Sequence, residues 1–288
     1  MRLSPRHRSV IVARLRAAGC VFAEDEAQLL ISGARTPSQL AAMVDRRAAG
    51  LPIEHVLGWA EFCGLRIAVD PGVFVPRRRT ELLVRQAAAL APARAVVVDV
   101  CCGSGAVGAG LAAALDRVEL YAADIDPAAV RCARRNLAPL GGRVYEGDLC
   151  HPLPASLRGR VDVLVANAPY VPSQAIGAMP AEARLHESRV ALDGGADGLD
   201  VQRRVSAAAL HWLAPGGHLL VETSAPQAKP LADTFASNGL IPRVVASDEL
   251  QATIVVGRSR PDGGSCGGAE HPAPGALTRT SSRAGMPP

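Results

Sequence analysis

The tetrapeptide Asn167-Ala168-Pro169-Tyr170 closes the apolar run Val161-Asp162-Val163-Leu164-Val165-Ala166, which reads as a buried strand about to end. Its residue types suit holding a planar amide. Asn offers both a donor and an acceptor, Pro stiffens the backbone, and Tyr brings a flat face. In an open α/β sheet, ligands bind at the carboxyl edge of the strands. Asn and Pro are also common in turns, so the tetrapeptide alone leaves an ordinary loop open.

A second constellation stands upstream. Val98-Asp99-Val100 ends another apolar run, and Cys101-Cys102-Gly103-Ser104-Gly105-Ala106-Val107-Gly108 follows. Glycines there let backbone approach a ligand, and the helix that starts next has free N–H groups. Gly103, Gly105 and Gly108 match GxGxxG, and Asp124 lies about 20 residues on, where a dinucleotide site puts its ribose-binding acid. A nicotinamide enzyme is one reading. Two features oppose it. Asp99 sits inside the strand end, where an acid is repelled by a pyrophosphate but suits a positively charged cofactor. S-adenosylmethionine carries an ammonium and a sulfonium and no phosphate. Gly147-Asp148-Leu149 follows a further strand candidate, from which a polar group can reach an adenine amino group. No His or Tyr-Lys pair stands out for hydride chemistry. The blander roles are a turn or cap for Asp99 and a helix cap for Asp126, which precedes Pro127. Asp124 is assigned to the ribose hydroxyls and Asp126 to the cap.

These loops need a scaffold. The chain has 288 residues, 49% of them hydrophobic and 3% aromatic, so its core must be aliphatic. Strand candidates are Ala95–Val100, Val118–Ala123, Arg143–Glu146, Val161–Ala166 and Gly217–Glu222, with a late pair at Pro242–Ala246 and Ala252–Val256. Helical patterns between them predict a mostly parallel sheet covered on both faces, closed by an antiparallel hairpin. Three short helices fit the first fifty residues. The first opens at Ser4-Pro5 and stops at Gly19, the second covers Glu24 to Ile31, and the third runs from Thr36-Pro37 to Gly50. The expected organisation is a helical unit (1–55), a β-hairpin connector (56–75), the α/β domain (76–258), with a helix returning at Thr80 to Leu90, and a disordered Gly/Ser/Pro/Arg tail (259–288).

The net charge of +4 rests almost wholly on Arg, with Lys229 the single Lys, and reflects a general bias in composition more than an anionic partner. Seven scattered Cys show no zinc spacing, so no metal is expected, and reduced thiols suit a cytoplasmic location. No run is long enough for a membrane span. The Arg-rich N-terminus, free of acids before Glu24, reads as a basic amphipathic helix in preference to a transit peptide.

Together these residues resemble the protein-glutamine N5-methyltransferases that modify the Gly-Gly-Gln motif of peptide-chain release factors. The resemblance covers about residues 5 to 257. It rests on Leu57-Gly58 with Phe62-Cys63-Gly64-Leu65, on Phe74-Val75-Pro76-Arg77 with Thr80-Glu81, on Asp99 to Gly105, on Asn167 to Tyr170, and on Ala191-Leu192-Asp193-Gly194-Gly195 with Asp197-Gly198-Leu199. It implies a Rossmann-like class I methyltransferase with a seven-stranded sheet and a small N-terminal helical domain that helps to grip a protein substrate. It further implies that Asp99, Cys101, Cys102, Gly103, Ser104, Gly105, Asp124, Asp148, Leu149 and Asn167 hold S-adenosylmethionine. Asn167, Ala168, Pro169 and Tyr170 would form the amide slot, with Asn167, Pro169 and Tyr170 catalytic. The expected partner is a protein, a release factor among the candidates, acting with a monomeric enzyme and without nucleic acid.

Five positions depart from the family pattern. Ala168 replaces the first Pro of the Asn-Pro-Pro-Tyr box, and Cys101 the first Gly of the cofactor loop. Arg78-Arg79 replaces a Pro and an acid, and Ser188 follows Glu187 where Pro is usual. Arg78 and Arg79 read as solvated charge, with contact to an acidic partner surface the alternative. Two other functions compete: an adenine-N6 methyltransferase acting on nucleic acid, whose flipped base would stack on Tyr170, and a non-catalytic cofactor-binding adaptor. Against the first, there is no target-recognition domain and no basic stripe with interleaved aromatics.

Overall fold

The computed structural model describes residues 5–261. Ser4 and all but the first three residues of the expected tail lie outside them. Four helices come first: α1 (Pro5–Ala17), α2 (Ala23–Gly33), α3 (Pro37–Ala48) and α4 (Ile53–Leu57). They bury their own small cluster around Leu15, Leu30, Leu40 and Met43. Thr36 caps α3 by accepting from the Gln39 N–H at 3.1 Å, as its position before Pro37 suggests. The short helix α4 occupies the first two residues of the expected connector. The hairpin proper is β1 (Trp59–Phe62) with β2 (Leu65–Ala68).

The α/β part follows with α5 (Glu81–Leu90), β3 (Ala95–Val100), α6 (Ala106–Ala114), β4 (Val118–Asp124), α7 (Pro127–Leu137), β5 (Arg143–Glu146) and β6 (Val161–Ala166). Then come α8 (Ala181–His186), α9 (Asp200–Trp212), β7 (Leu213–Thr223), α10 (Ala225–Ser237), β8 (Ile241–Ser247) and β9 (Ala252–Arg258). The sheet order is β5-β4-β3-β6-β7-β9-β8. The first five strands are parallel, and β9 runs antiparallel between β7 and β8. This is the seven-stranded sheet with a late antiparallel hairpin that the sequence predicts. The hairpin is inserted so that the last strand is inside and β8 is the exposed edge.

All six residues of β3 are buried, which is why it reads as an unbroken apolar run. Its side chains alternate between two cores. Ala95 and Val97 join the layer under α5 and α6, while Val96, Val98 and Val100 join the layer under α9 and α10. By the same alternation Asp99 faces α6. The chain runs outward from β3 to β5 and then returns to the other side of β3 as β6. That reversal opens a crevice between the carboxyl ends of β3 and β6, whose last residues Val100 and Ala166 are partners across the ladder. The loops beginning at Cys101 and Asn167 therefore start side by side.

Candidate active site

Asp99 is buried under the loop that it precedes, and its Oδ2 accepts from the Gly108 N–H at 3.0 Å. Burial pushes its carboxyl up to about 7. The Asp124 charge adds to the rise and the Gly108 bond opposes it. Asp124 turns into the same space. Its Oδ2 accepts from Gly103 N–H at 2.8 Å and its Oδ1 from Asp126 N–H at 2.9 Å. Burial raises this carboxyl too. Asp126 caps α7 by accepting from Ala128 N–H at 2.8 Å, the role expected for it.

The loop between these acids is bent sharply. Cys101 has φ +56° and Gly103 has φ +54°, left-handed conformations that favour glycine. This explains why a glycine is usual at position 101, and it places strain at the cavity wall. The Cys101 and Cys102 thiols are pushed well up by burial and by the neighbouring acids, which disfavours the thiolate form. Asn136 braces the loop from α7. Its amide donates to the Ser104 carbonyl at 2.8 Å and to that of Ala68 at 2.9 Å, which fastens the hairpin to the cofactor loop.

An open cavity of about 1030 Å³ lies over these groups. It is lined by Asp99, Cys101, Cys102, Gly103, Ser104, Asp124, Asp148, Leu149, Asn167 and Pro169, so nearly all the expected cofactor residues meet there. Gly105 does not. A Cβ at that position would lie 3.0 Å from Leu137 Cγ and 3.3 Å from Ala133 Cα, so its absence lets α6 pack on α7. Asp148 is held by Arg204, which also lines the cavity. The lining holds four acids, Asp99, Asp124, Asp126 and Asp148, against one base, Arg204. That balance rejects a pyrophosphate and fits the cationic nucleoside S-adenosylmethionine, whose ammonium and sulfonium would find carboxylates on one wall.

A second cavity, of about 850 Å³, opens beside the first. Ala168, Pro169, Tyr170, Met179, Arg77 and Arg79 are among its lining residues. Phe74, Asn167, Pro169 and Ala191 line both cavities. Asn167 Nδ2 donates to the Thr80 hydroxyl at 3.3 Å. That bond commits Nδ2 to Thr80. Ala168 is fully buried in the layer under α9 and α10.

The loop from Asn167 to Tyr170 is braced from behind. The Val171 N–H donates to Leu192 O at 3.1 Å, and the Gly194 N–H to Val171 O at 2.9 Å. A Cβ at Gly194 would lie 2.7 Å from the Pro169 carbonyl oxygen. The glycine-rich stretch is therefore a close backbone support for the slot. Three residues that sequence reading did not assign matter here. Thr80 orients Asn167. Glu222, 1% exposed, accepts from the Tyr170 hydroxyl at 3.2 Å. Gln227 bonds the Tyr170 carbonyl at 3.0 Å. Arg79 is not simple solvated charge: its Nε donates to Glu222 at 3.1 Å, and its guanidinium carbon lies 5.8 Å from the Tyr170 ring centroid.

Comparison with known proteins agrees with this geometry. Residues 64–199 match the family model described as "Methyltransferase small domain". The chain is 39% identical to the release factor glutamine methyltransferase of Geobacter sulfurreducens over 226 residues, 77% of this chain and 78% of that one. It is 41% identical to the Moorella thermoacetica protein of the same name over 203 residues, 68% and 70% of the two chains. A methyltransferase structure from Pyrococcus furiosus superposes with a TM-score of 0.50 at 16% identity, covering 77% of this chain and 99% of that one, and shares the fold. With two adjoining cavities, an acid-lined cofactor wall and relatives this similar over most of their length, the chain belongs to the release factor glutamine methyltransferase family of class I S-adenosylmethionine-dependent enzymes.

Proposed function

We propose that this protein transfers a methyl group from S-adenosylmethionine to the side-chain nitrogen of a glutamine in a peptide-chain release factor. One observation carries the reading: Asn167 and Pro169 line both cavities, so a carboxamide held at Asn167 lies at their junction. The bound cofactor supplies a methyl group activated as a sulfonium. Asp99, the Cys101–Ser104 loop and Asp124 hold it, with Asp148 and Leu149 at the adenine.

A carboxamide nitrogen is a weak nucleophile because its lone pair is delocalised. Position is therefore the main contribution of the protein. With Nδ2 committed to Thr80, Asn167 offers Oδ1 to a substrate amide N–H. The Ala168 carbonyl accepts the second N–H, and Pro169 and Tyr170 wall the slot. Fixing both N–H groups turns the nitrogen toward the cofactor cavity and favours the transition state over looser ground-state poses. As the nitrogen takes the methyl it gives up one of these two protons along its hydrogen bond, and the sulfonium would depart as a neutral thioether.

The helical unit extends the surface available to a protein. A groove lined by Phe22, Leu29, Ile53, Glu54, Arg77 and Glu182 is among the cavities of the described residues. It shares Arg77, Glu182 and Ala183 with the amide slot. The two are joined through Arg47, which pairs with Glu26 at 2.6 Å and with Glu182 on α8 at 2.8 Å. Phe22 is 68% exposed there, an apolar contact for the bound protein.

The test is to incubate the full chain with labelled S-adenosylmethionine and a purified release factor, then map the label by mass spectrometry. Label on the glutamine of the Gly-Gly-Gln motif is the expected result. Label confined to added nucleic acid, or no transfer at all, would sink the reading.

A further inference from the structure

Two cations, Arg77 and Arg79, line the amide slot. Each is backed by a carboxylate taken out of water: Glu187, 0% exposed at its side chain, behind Arg77, and Glu222, 1% exposed, behind Arg79. One oxygen of each acid, Glu187 Oε2 and Glu222 Oε2, has no hydrogen-bond partner among the described residues. A buried carboxylate in that state depends heavily on its remaining ion pair, so each guanidinium is tethered.

Arg79 is tethered through its Nε. Nε goes to Glu222 Oε1, the oxygen that also accepts the Tyr170 hydroxyl. The planar fork lies over the Tyr170 ring, and 44% of the side chain is exposed at the slot. A guanidinium has five N–H donors fixed in one plane. Using one to anchor the plane leaves terminal donors for a ligand, in an orientation set in advance. Because Glu222 already balances the charge, the arrangement favours a neutral acceptor over a second carboxylate.

We propose that Arg79 is a substrate-positioning residue that donates to main-chain carbonyl oxygens beside the target glutamine. The proposal rests on the reading of Asn167 as the carboxamide site. With the carboxamide at Asn167, only two methylene groups separate it from the main chain, which then crosses the slot mouth where Arg79 lies. Glycines next to the target leave their carbonyl oxygens uncovered, so a guanidinium can approach them without meeting a side chain.

Steady-state methylation of a purified release factor tests this with the wild-type chain, Arg79→Ala, Arg79→Lys and the double variant Arg79→Ala/Glu222→Gln. Arg79→Ala is expected to raise KM for the release factor about tenfold or more, with KM for S-adenosylmethionine within about twofold of wild type. Arg79→Lys should recover only part of the loss, since a point charge lacks the fork. The double variant removes the unpaired buried acid, so it should regain thermal stability relative to Arg79→Ala while keeping the raised KM. A release-factor KM within about twofold of wild type in Arg79→Ala, or an equal rise in KM for both substrates, overturns the proposal. A wild-type chain that methylates no glutamine fails earlier, and takes the slot reading down with the proposal.

Discussion

The side-chain amide of Gln227 donates to the carbonyl oxygen of Tyr170 at 3.0 Å and to that of Asp197 at 2.9 Å. Its Oε1 meanwhile accepts from the Ser224 N–H at 3.4 Å and from the Ser224 hydroxyl. One residue in the first turn of α10 thus joins the slot loop, the glycine-rich support and the end of β7. Gln227→Leu keeps the volume and removes both donors, leaving two carbonyls without partners. A stability loss of about 1–3 kcal/mol is expected, with kcat falling further than cofactor affinity. Urea unfolding checks the first half, and labelled-methyl turnover beside calorimetric titration with S-adenosylmethionine checks the second. Unchanged kcat would count against a positioning role.

Gly198 is the closest backbone approach behind the slot. Its φ is +79°, and a Cβ there would lie 2.3 Å from both Gln227 Nε2 and the Tyr170 carbonyl oxygen. Gly198→Ala therefore meets a strained conformation and a steric clash together. A loss of about 3 kcal/mol or more is expected from denaturant unfolding, and the surviving folded protein should turn over poorly because Tyr170 has moved.

Asn167→Ala removes the acceptor at the junction of the cavities and leaves the acid wall intact. Turnover should fall below detection, while the dissociation constant for S-adenosylmethionine stays within a few fold, roughly the loss of one peripheral contact. Binding is read by calorimetry and turnover by transfer of labelled methyl. Near-wild-type turnover in this variant would falsify the assignment of the amide site.

Asp99 ties cofactor affinity to pH. Its carboxyl sits at about 7 in the ligand-free protein, mainly through burial. A cationic ligand binds the ionised form better, so the dissociation constant should fall as pH rises through about 7 and then level off, changing by up to about tenfold per unit on the acid side. Ligand-free stability moves the other way. With the folded value above the unfolded one, this group's contribution is complete below the ordinary carboxylate range and is lost as pH climbs through about 7. Asp99→Asn should flatten both dependences. Calorimetry and thermal unfolding between about pH 5 and 8 separate them, and a wild-type affinity with the same pH dependence as Asp99→Asn would rule this role out.

Much of the scaffold was legible because burial leaves a local trace. β3 and β6 have the bounds that their apolar runs mark, since a strand covered on both faces is apolar nearly throughout, and the edge strand β5 matches its expected bounds with Arg143 and Glu146 exposed at its ends. β7 begins at Leu213, four residues before its expected start, because Pro215-Gly216-Gly217 looks like a turn. α4 and α8 span five and six residues, too short to show a period. At the site, the acids and glycines were legible from type and spacing alone. Gly105 was grouped with the cofactor residues because a glycine facing a ligand and a glycine facing a helix look alike in one dimension.

By itself the sequence determined the alternation that builds the sheet, the glycines and acids of the cofactor loop, and the chemistry available at Asn167 and Tyr170. These are short-range properties, encoded in side-chain volume, φ preference and period. Only the tertiary structure decided which charges face each other. Arg79 meets Glu222 across 143 residues of chain, and Gln227 meets Tyr170 across 57. No local rule brings such pairs together. They form because β6 pairs with β7, which sets the Asn167 loop beside the end of β7 and the start of α10, and because an acid as buried as Glu222 must find its cation within that packing.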